Sequence, residues 1–228
     1  MTVRRGVDWG QPERLGAGAP IVADDLDLAA LVLPCVDWDA PDGPVVGNRV
    51  GPVAVRSGDL HRTLGGPQRR DLRDGTLAGF SCDVLLVEGS APDGTTVRAV
   101  AVGHVLAAES ARFRPRPALW STWSAVVMNA AFVGERNLGP RAHPGDGLAD
   151  VTTGRLTARD RRRADRRSRT GTHVPHPDLE ERRVREWTAP TGDGGDVRSL
   201  WVVVDGADLG PVVDLSVRIA PGAVHVLV

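Results

Sequence analysis

The most regular pattern of apolar and polar positions lies near the C-terminal end of the chain. Over residues 213–219, Val213, Leu215, Val217 and Ile219 alternate with Asp214, Ser216 and Arg218. A period of two puts the apolar set on one face, which predicts a half-exposed antiparallel strand. Residues 200–204 are apolar on both faces and predict a central strand, and residues 223–228, after Pro221-Gly222, predict a closing strand. Residues 82–87 and 97–102 flank the turn-rich Ser90-Ala91-Pro92-Asp93-Gly94 and predict a hairpin. Residues 52–55 and 124–133 are two more predicted strands. Five or more strands at hairpin-like spacing predict a sandwich or barrel-like sheet domain.

The remaining segments are less regular. Residues 1–20 are rich in Gly, Pro and Arg and read as a loose arm. The apolar stretch 26–36, interrupted by Pro34, fits a short helix or a buried strand equally well. Residues 37–51 read as a long connection. Residues 59–64 predict a helix with Ser57 or Asp59 as N-cap. Residues 155–169 hold eight Arg against Asp160 and Asp165, with only Leu156, Ala158 and Ala164 as apolar contacts. That spacing predicts a surface helix. Its Arg159, Arg162, Arg163 and Arg166 read either as a solvated face or as a cationic patch for phosphates or anionic lipid headgroups.

Composition narrows the chemistry. The chain has 228 residues, 41% apolar and 25% charged, which suits one ordinary domain or two small ones and excludes a disordered chain. All 28 basic residues are Arg; there is no Lys and no Tyr. A Schiff-base lysine, a P-loop lysine and a phenolic acid are therefore excluded. A net charge of −1 gives no global attraction to nucleic acid, and none is expected as a partner. Cys35 and Cys82 form no metal or redox motif, which suits a reducing, cytoplasmic setting. Residues 1–10 carry Arg4 and Arg5 without an apolar core, so no secretory signal is expected, and the longest apolar run is too short to span a membrane. The expected location is cytoplasmic or peripheral to a membrane.

Three groups of residues occur in a telling order. The first is Met128-Asn129, Gly134, Gly139-Pro140, Ala142, Pro144 and Asp146-Gly147-Leu148-Ala149-Asp150. The second is Gly171, His173, His176 and Pro177. The third is Asp205-Gly206, Gly210-Pro211, the alternating strand, and Pro221-Gly222-Ala223 with Val226-Leu227-Val228. Together they resemble the diacylglycerol kinase family of lipid kinases, in particular its bacterial soluble members. Upstream, Val-Ala-Val-Arg-Ser-Gly-Asp-Leu-His-Arg-Thr-Leu-Gly at residues 53–65 is similar to the family's Gly-Thr-Gly-Asn-Asp-Phe-Ala-Arg-x-Leu-Gly segment, with one residue deleted. Gly79, Asp83-Val84 and Gly103 also follow the family's order. The resemblance spans residues 50–228.

This resemblance implies an α+β, β-rich fold: an antiparallel β-sandwich of the lipid-kinase C-terminal type, with a reduced N-terminal α/β remnant. It implies a division into residues 1–67 and 68–228. ATP and Mg²⁺ are the implied cofactors, with Ser57, Gly58 and Asp59 at the nucleotide and Asp146 at a structural Mg²⁺. Asp146 also reads as a simple turn residue.

Two departures accompany the resemblance. The family's Gly-Gly-Asp-Gly-Thr loop, which cradles the nucleotide, has no counterpart in order; Asp74-Gly75-Thr76 resembles a fragment of it but follows residues 57–65. Only about 50 residues precede those positions, too few for the family's nucleotide-binding half. Gly192-Asp193-Gly194-Gly195-Asp196 reads better as a hairpin turn. The family's Asp-Gly-Glu, which supplies a general base, is here Asp205-Gly206-Ala207, and a methyl group accepts no proton. Asp208 points to the other side of the strand unless the register shifts, and Asp205 itself fits a tight turn.

Other chemistries have less support. Pro175 forbids a helical zinc face for His173 and His176, and no cysteine or carboxylate spacing joins them to His143. No Gly-x-Ser-x-Gly elbow is present. Three functional readings remain open. One is a lipid-kinase-like protein that binds a lipid or nucleotide without transferring phosphate. Another is an active lipid kinase whose base is Asp205, Asp208 or a partner's residue. The third is an Arg-faced interaction module for an acidic membrane, a protein partner or a second copy of the chain.

Overall fold

The computed structural model describes residues 10–66, 72–73, 75–109, 119–190 and 199–228. The readings of residues 1–9, of Asp74 and of residues 192–196 lie outside that set. The first half contains β1 (Gln11–Glu13), β2 (Ile21–Val22), α1 (Asp25–Val32), a 3-10 turn at Leu33–Cys35, β3 (Val36–Asp37), β4 (Val45–Val46), β5 (Val50–Val55), α2 (Asp59–Thr63), β6 (Leu77–Ser90), β7 (Thr96–Ala101) and β8 (His104–Ala108). The second half contains β9 (Ser124–Met128), β10 (Phe132–Val133), β11 (Arg136–Asn137), β12 (Ala149–Gly154), α3 (Ala158–Ser168), β13 (Leu179–Val184), β14 (Glu186–Thr188), β15 (Leu200–Val204) and β16 (Ala207–Leu227).

The long strand β16 joins two sheets. Its beginning pairs antiparallel with β15, from Val204 opposite Ala207 to Leu200 opposite Val212. Its remainder pairs antiparallel with β6, from Val213 opposite Ser90 to Leu227 opposite Gly79. β15 continues through β8, β9, β12 and β13, every pair antiparallel. β6 carries β7 and β1, while β14 pairs with β16. The expected sandwich is thus present.

The inner faces of the two sheets close on one apolar cluster that includes Leu85, Val87, Val105, Val127, Val202, Leu215 and Ile219. α1 and α2 cover a second cluster with Leu28, Val32, Leu60, Val84, Leu86 and Val224. α3 covers a third with Leu106, Trp120, Met128, Leu156 and Ala164. Layers of helix, sheet, sheet and helix result.

The α/β remnant is a single unit. β5 runs parallel to the end of β16, and β2 runs parallel to β5. Parallel neighbours need a crossover, and α1 lies in the one between β2 and β5. Asp24 caps α1 by accepting the N–H groups of Leu26 and Asp27 at 3.1 and 3.2 Å. Leu28, Ala29 and Val32 recur at helical spacing and are buried.

Several expectations need correction. Part of the loose arm, Gln11–Glu13, is an edge strand on β6. The connection at 37–51 contains the small β3–β4 pair. Strand 124–133 is interrupted after Met128, and Phe132–Val133 pairs with β11 as a separate short strand. Val213 does not share the buried face. Asp214 adopts φ +51°, the ladder slips between Val213 and Ser216, and Val212 takes the inward place beside Leu215.

Leu215 is fully buried between the sheets. Leu215→Ala is expected to lower the unfolding free energy by about 3 kcal/mol, measured by urea denaturation. A loss below about 1 kcal/mol would mean that the sheets do not close on this side chain.

Candidate functional site

α2 opens at Gly58, whose φ of +114° is glycine territory. Neither Ser57 nor Asp59 caps it. The N–H groups of Asp59 and Leu60 donate to Asp25 Oδ2, at 2.6 and 3.3 Å, so the cap comes from α1. A Cβ on residue 58 would overlap the Asp25 carboxylate, a second reason for glycine there. Ser57 Oγ donates to the Ala23 carbonyl at 2.8 Å and ties the two loops together.

Asp59 accepts the Gly134 N–H through Oδ1 at 2.8 Å, and its Oδ2 lies 3.5 Å from His104 Nδ1. Asp205 sits in the turn between β15 and β16 with φ +46°, its side chain sealed from solvent. It accepts three successive amides: Val102 at 2.6 Å, Gly103 at 3.0 Å and His104 at 2.7 Å. Its Oδ1 is 3.8 Å from His104 Nδ1. The fold thus brings together Asp59 and Asp205 from the expected set, and adds Asp25 and His104.

Burial sets the proton inventory. It pushes Asp25 up to about 8, reinforced by the Asp205 and Asp59 charges and opposed by the two amides it accepts. Burial also raises Asp59, with His104 and the Gly134 amide opposing. Asp205 rises to about 6, held down by its three amide donors. His104 falls to about 4 because burial outweighs the attraction of Asp59. At neutral pH Asp25 therefore holds a proton and His104 is neutral, despite its ion-pair distance from two carboxylates.

Asp146 belongs to a second polar cluster. Its Oδ1 accepts the Leu148 N–H at 3.0 Å, and its Oδ2 pairs with Arg183, which also reaches Asp150 at 2.8 Å. Asp83 lies alongside, accepting the N–H groups of Gly147 and Gly222 at 2.7 and 2.8 Å. Asn129, fully buried, donates to the carbonyls of Asp83 and Val102 and bridges the clusters. In this arrangement the donor set does not fit Mg²⁺: both Asp146 oxygens are engaged, and a guanidinium already balances the charge.

Asp208 is exposed and accepts the N–H of Gly210 in its own turn, at 3.1 Å. Ala207 precedes it opposite Val204; the ladder slips only after Asp208, so the two neighbours keep opposite orientations. Arg159, Arg162, Arg163 and Arg166 are exposed on α3, and none makes a hydrogen bond or ion pair to either cluster among the described residues.

One expectation about metals changes. His176 does have carboxylates beside it: Asp160 from α3 and Asp178 offer donor atoms that all lie within 4.8 Å of one another. It is the one such group among the described residues, and neither His143 nor His173 joins it. Asp160 Oδ2 accepts the Thr157 hydroxyl at 2.7 Å while its N–H donates to that hydroxyl oxygen at 3.2 Å, and His176 Nδ1 accepts the Asp178 N–H. His173 is buried against Trp120, ring centroids 5.6 Å apart.

Asp25 and His104 escaped the sequence reading, and Asp83 and Asn129 entered it only through the motif order, with no site role. Asp25 follows a capping aspartate at the start of an apolar run, where an acid reads as a favourable helix-dipole residue. Nothing local signals that it reaches α2. His104, between two apolar stretches, carries no motif.

A two-sheet sandwich with polar side chains gathered at its strand ends is the architecture of an NAD-kinase-like β domain. Residues 97–228 match the family described as YegS C-terminal NAD kinase beta sandwich-like domain, and the chain belongs to that family. Two similar crystal structures are of Bacillus anthracis str. Sterne proteins assigned as diacylglycerol kinases. One is 11% identical with a TM-score of 0.52, over 77% of this chain and 69% of that one. The other is 13% identical with a TM-score of 0.50, over 77% and 68%. At these identities the likeness is one of fold. No curated protein matches the chain.

The elevated acids have a measurable consequence. Asp25, Asp59 and Asp205 keep protons in the fold that the unfolded chain releases above about pH 4, so their contribution falls as pH rises. His104 works oppositely, since the unfolded chain takes up a proton below about pH 6.5 that the fold refuses. Above about pH 6.5 the opposing His104 effect has run out and the acids' effect remains, that of Asp25 ending near 8. Stability measured by urea denaturation is expected to fall between pH 6.5 and 8, and Asp25→Asn is expected to flatten that fall. An unchanged pH profile in the variant would exclude Asp25 as the source.

Proposed function

We propose that this member of the lipid-kinase-like family is a binding protein that does not transfer phosphate. The observation that carries the reading is the occupancy of backbone donors by the chain's own carboxylates. Phosphoryl transfer depends on amides and cations aimed at a polyphosphate. Here the amides of Asp59 and Leu60 are engaged by Asp25, those of Val102, Gly103 and His104 by Asp205, and that of Gly134 by Asp59. A nucleotide entering Ser57, Gly58 and Asp59 would displace these contacts and bring its charge against three acids.

The general-base position supports the same reading. Ala207 supplies no proton acceptor, and Asp208 faces away from it. Asp205 has an elevated pKa of the kind a base uses, but its side chain is sealed and committed to three amides. What remains is the sandwich as a scaffold. Its ligands would be phosphate-bearing lipids met at the surface. Among the described residues no helix is long and apolar enough to cross a membrane.

The test is incubation of the whole chain with radiolabelled ATP and Mg²⁺, with diacylglycerol or a long-chain base presented in mixed micelles. No phosphorylated lipid above the enzyme-free blank is expected. Turnover would overturn the proposal, and loss of that turnover in a folded Asp208→Ala variant would identify an active kinase with a displaced base.

A further inference from the structure

Among the described residues, the arginine side chains of α3 have no hydrogen-bond or ion-pair partner. Residues 155–169 carry eight Arg and two Asp, a surplus of six positive charges in a chain of net charge −1. The rest of the molecule is therefore net negative by seven. Seven of the eight Arg are exposed, and none makes a side-chain hydrogen bond or ion pair among the described residues. The two acids on the helix are engaged elsewhere. Asp165 binds Arg136 of β11 at 2.5 Å, and Asp160 accepts the hydroxyl of the N-cap Thr157 at 2.7 Å.

Placement on the helix sharpens this. Ala164 and Ser168 are buried against the sandwich. Arg159, Arg162, Arg166 and Arg169 recur at spacings of three and four, forming one stripe on the opposite side. Ten residues of helix make that stripe about 15 Å long. Like charges three and four apart destabilise a helix by tenths of a kcal/mol per pair, and Arg159 adds a cation near the positive end of the dipole. The row works against the helix that carries it.

We propose that this stripe docks the protein, by charge alone, onto the anionic phosphate surface of a lipid bilayer. The inference stands whether or not the chain transfers phosphate. Three observations favour a flat lipid surface. α3 lies along the sandwich, so its arginines form a row on top of the body and cannot enter a groove as a projecting helix would. The described helix surface has no aromatic or amide side chain to stack on or read bases. Its only exposed apolar residue is Ala158, so the helix has nothing to insert, and guanidinium–phosphate contacts remain. The negative remainder of the molecule would turn this face toward the membrane.

The experiment is co-sedimentation of the whole protein with vesicles of phosphatidylcholine alone, or of phosphatidylcholine with about one-third phosphatidylglycerol, at 50 mM and 500 mM salt. Binding is expected only to the anionic vesicles at low salt. Near an anionic surface each arginine contributes about fivefold, so Arg159→Gln/Arg162→Gln/Arg166→Gln is expected to bind roughly 100-fold more weakly. Its urea denaturation midpoint should be no lower than the parent's, since all three side chains are exposed and their mutual repulsion is removed. Salt-insensitive binding, equal binding to neutral vesicles, undiminished binding by the folded triple variant, or displacement from the vesicles by equimolar duplex RNA would each overturn the proposal.

Discussion

β16 hydrogen-bonds to β15 through its first residues and to β6 through the rest, so a single strand must satisfy two sheets. It does so by breaking its own regularity. The ladder slips between Val202 and Val203, between Val213 and Ser216, and between Ala220 and Val224. Each irregularity bends the strand and resets which side chains face inward. The inter-sheet core, the parallel β5 and the turn carrying Asp205 all take their positions from this strand.

The polar clusters follow from that geometry. Buried carboxylates are costly unless amides or cations meet them. In this chain turn and helix-start amides serve: three for Asp205, two each for Asp25 and Asp83. The loops at this end of the sandwich are held together by side-chain-to-backbone bonds that a ligand would have to displace. The charge logic on α3 is the reverse. There the cations have no partner among the described residues, and exposure to water makes their repulsion tolerable.

Patterns within one element were legible in advance. Alternation over 215–219 gave the buried face of β16, the apolar run at 200–204 gave an internal strand, and the turn residues at 90–94 gave the β6–β7 hairpin. Val213 was misread because the period of two presumes an unbroken ladder, and a non-glycine residue at φ +51° breaks it. The N-cap of α2 was misread because local rules assign caps to neighbours in sequence, whereas Asp25 arrives from 34 residues upstream. Of the candidate site, Gly58, Asp59 and Asp205 carried a signal through turn and motif spacing. Asn129 carried one only through motif order, and Asp25 and His104 carried none.

The sequence by itself determined the sheet-rich class, the missing lysine chemistry, the vacancy at Ala207 and the concentration of arginine on one helix. These are properties of residue type and short-range period, which survive whatever the chain does elsewhere. Tertiary structure alone decided that Asp25, Asp59, Asp205 and His104 meet, that Asp146 faces a guanidinium, and that the acids of α3 are drawn away from its arginines. Those outcomes depend on long-range pairing, and the proton affinities they create come from burial, which no local pattern encodes.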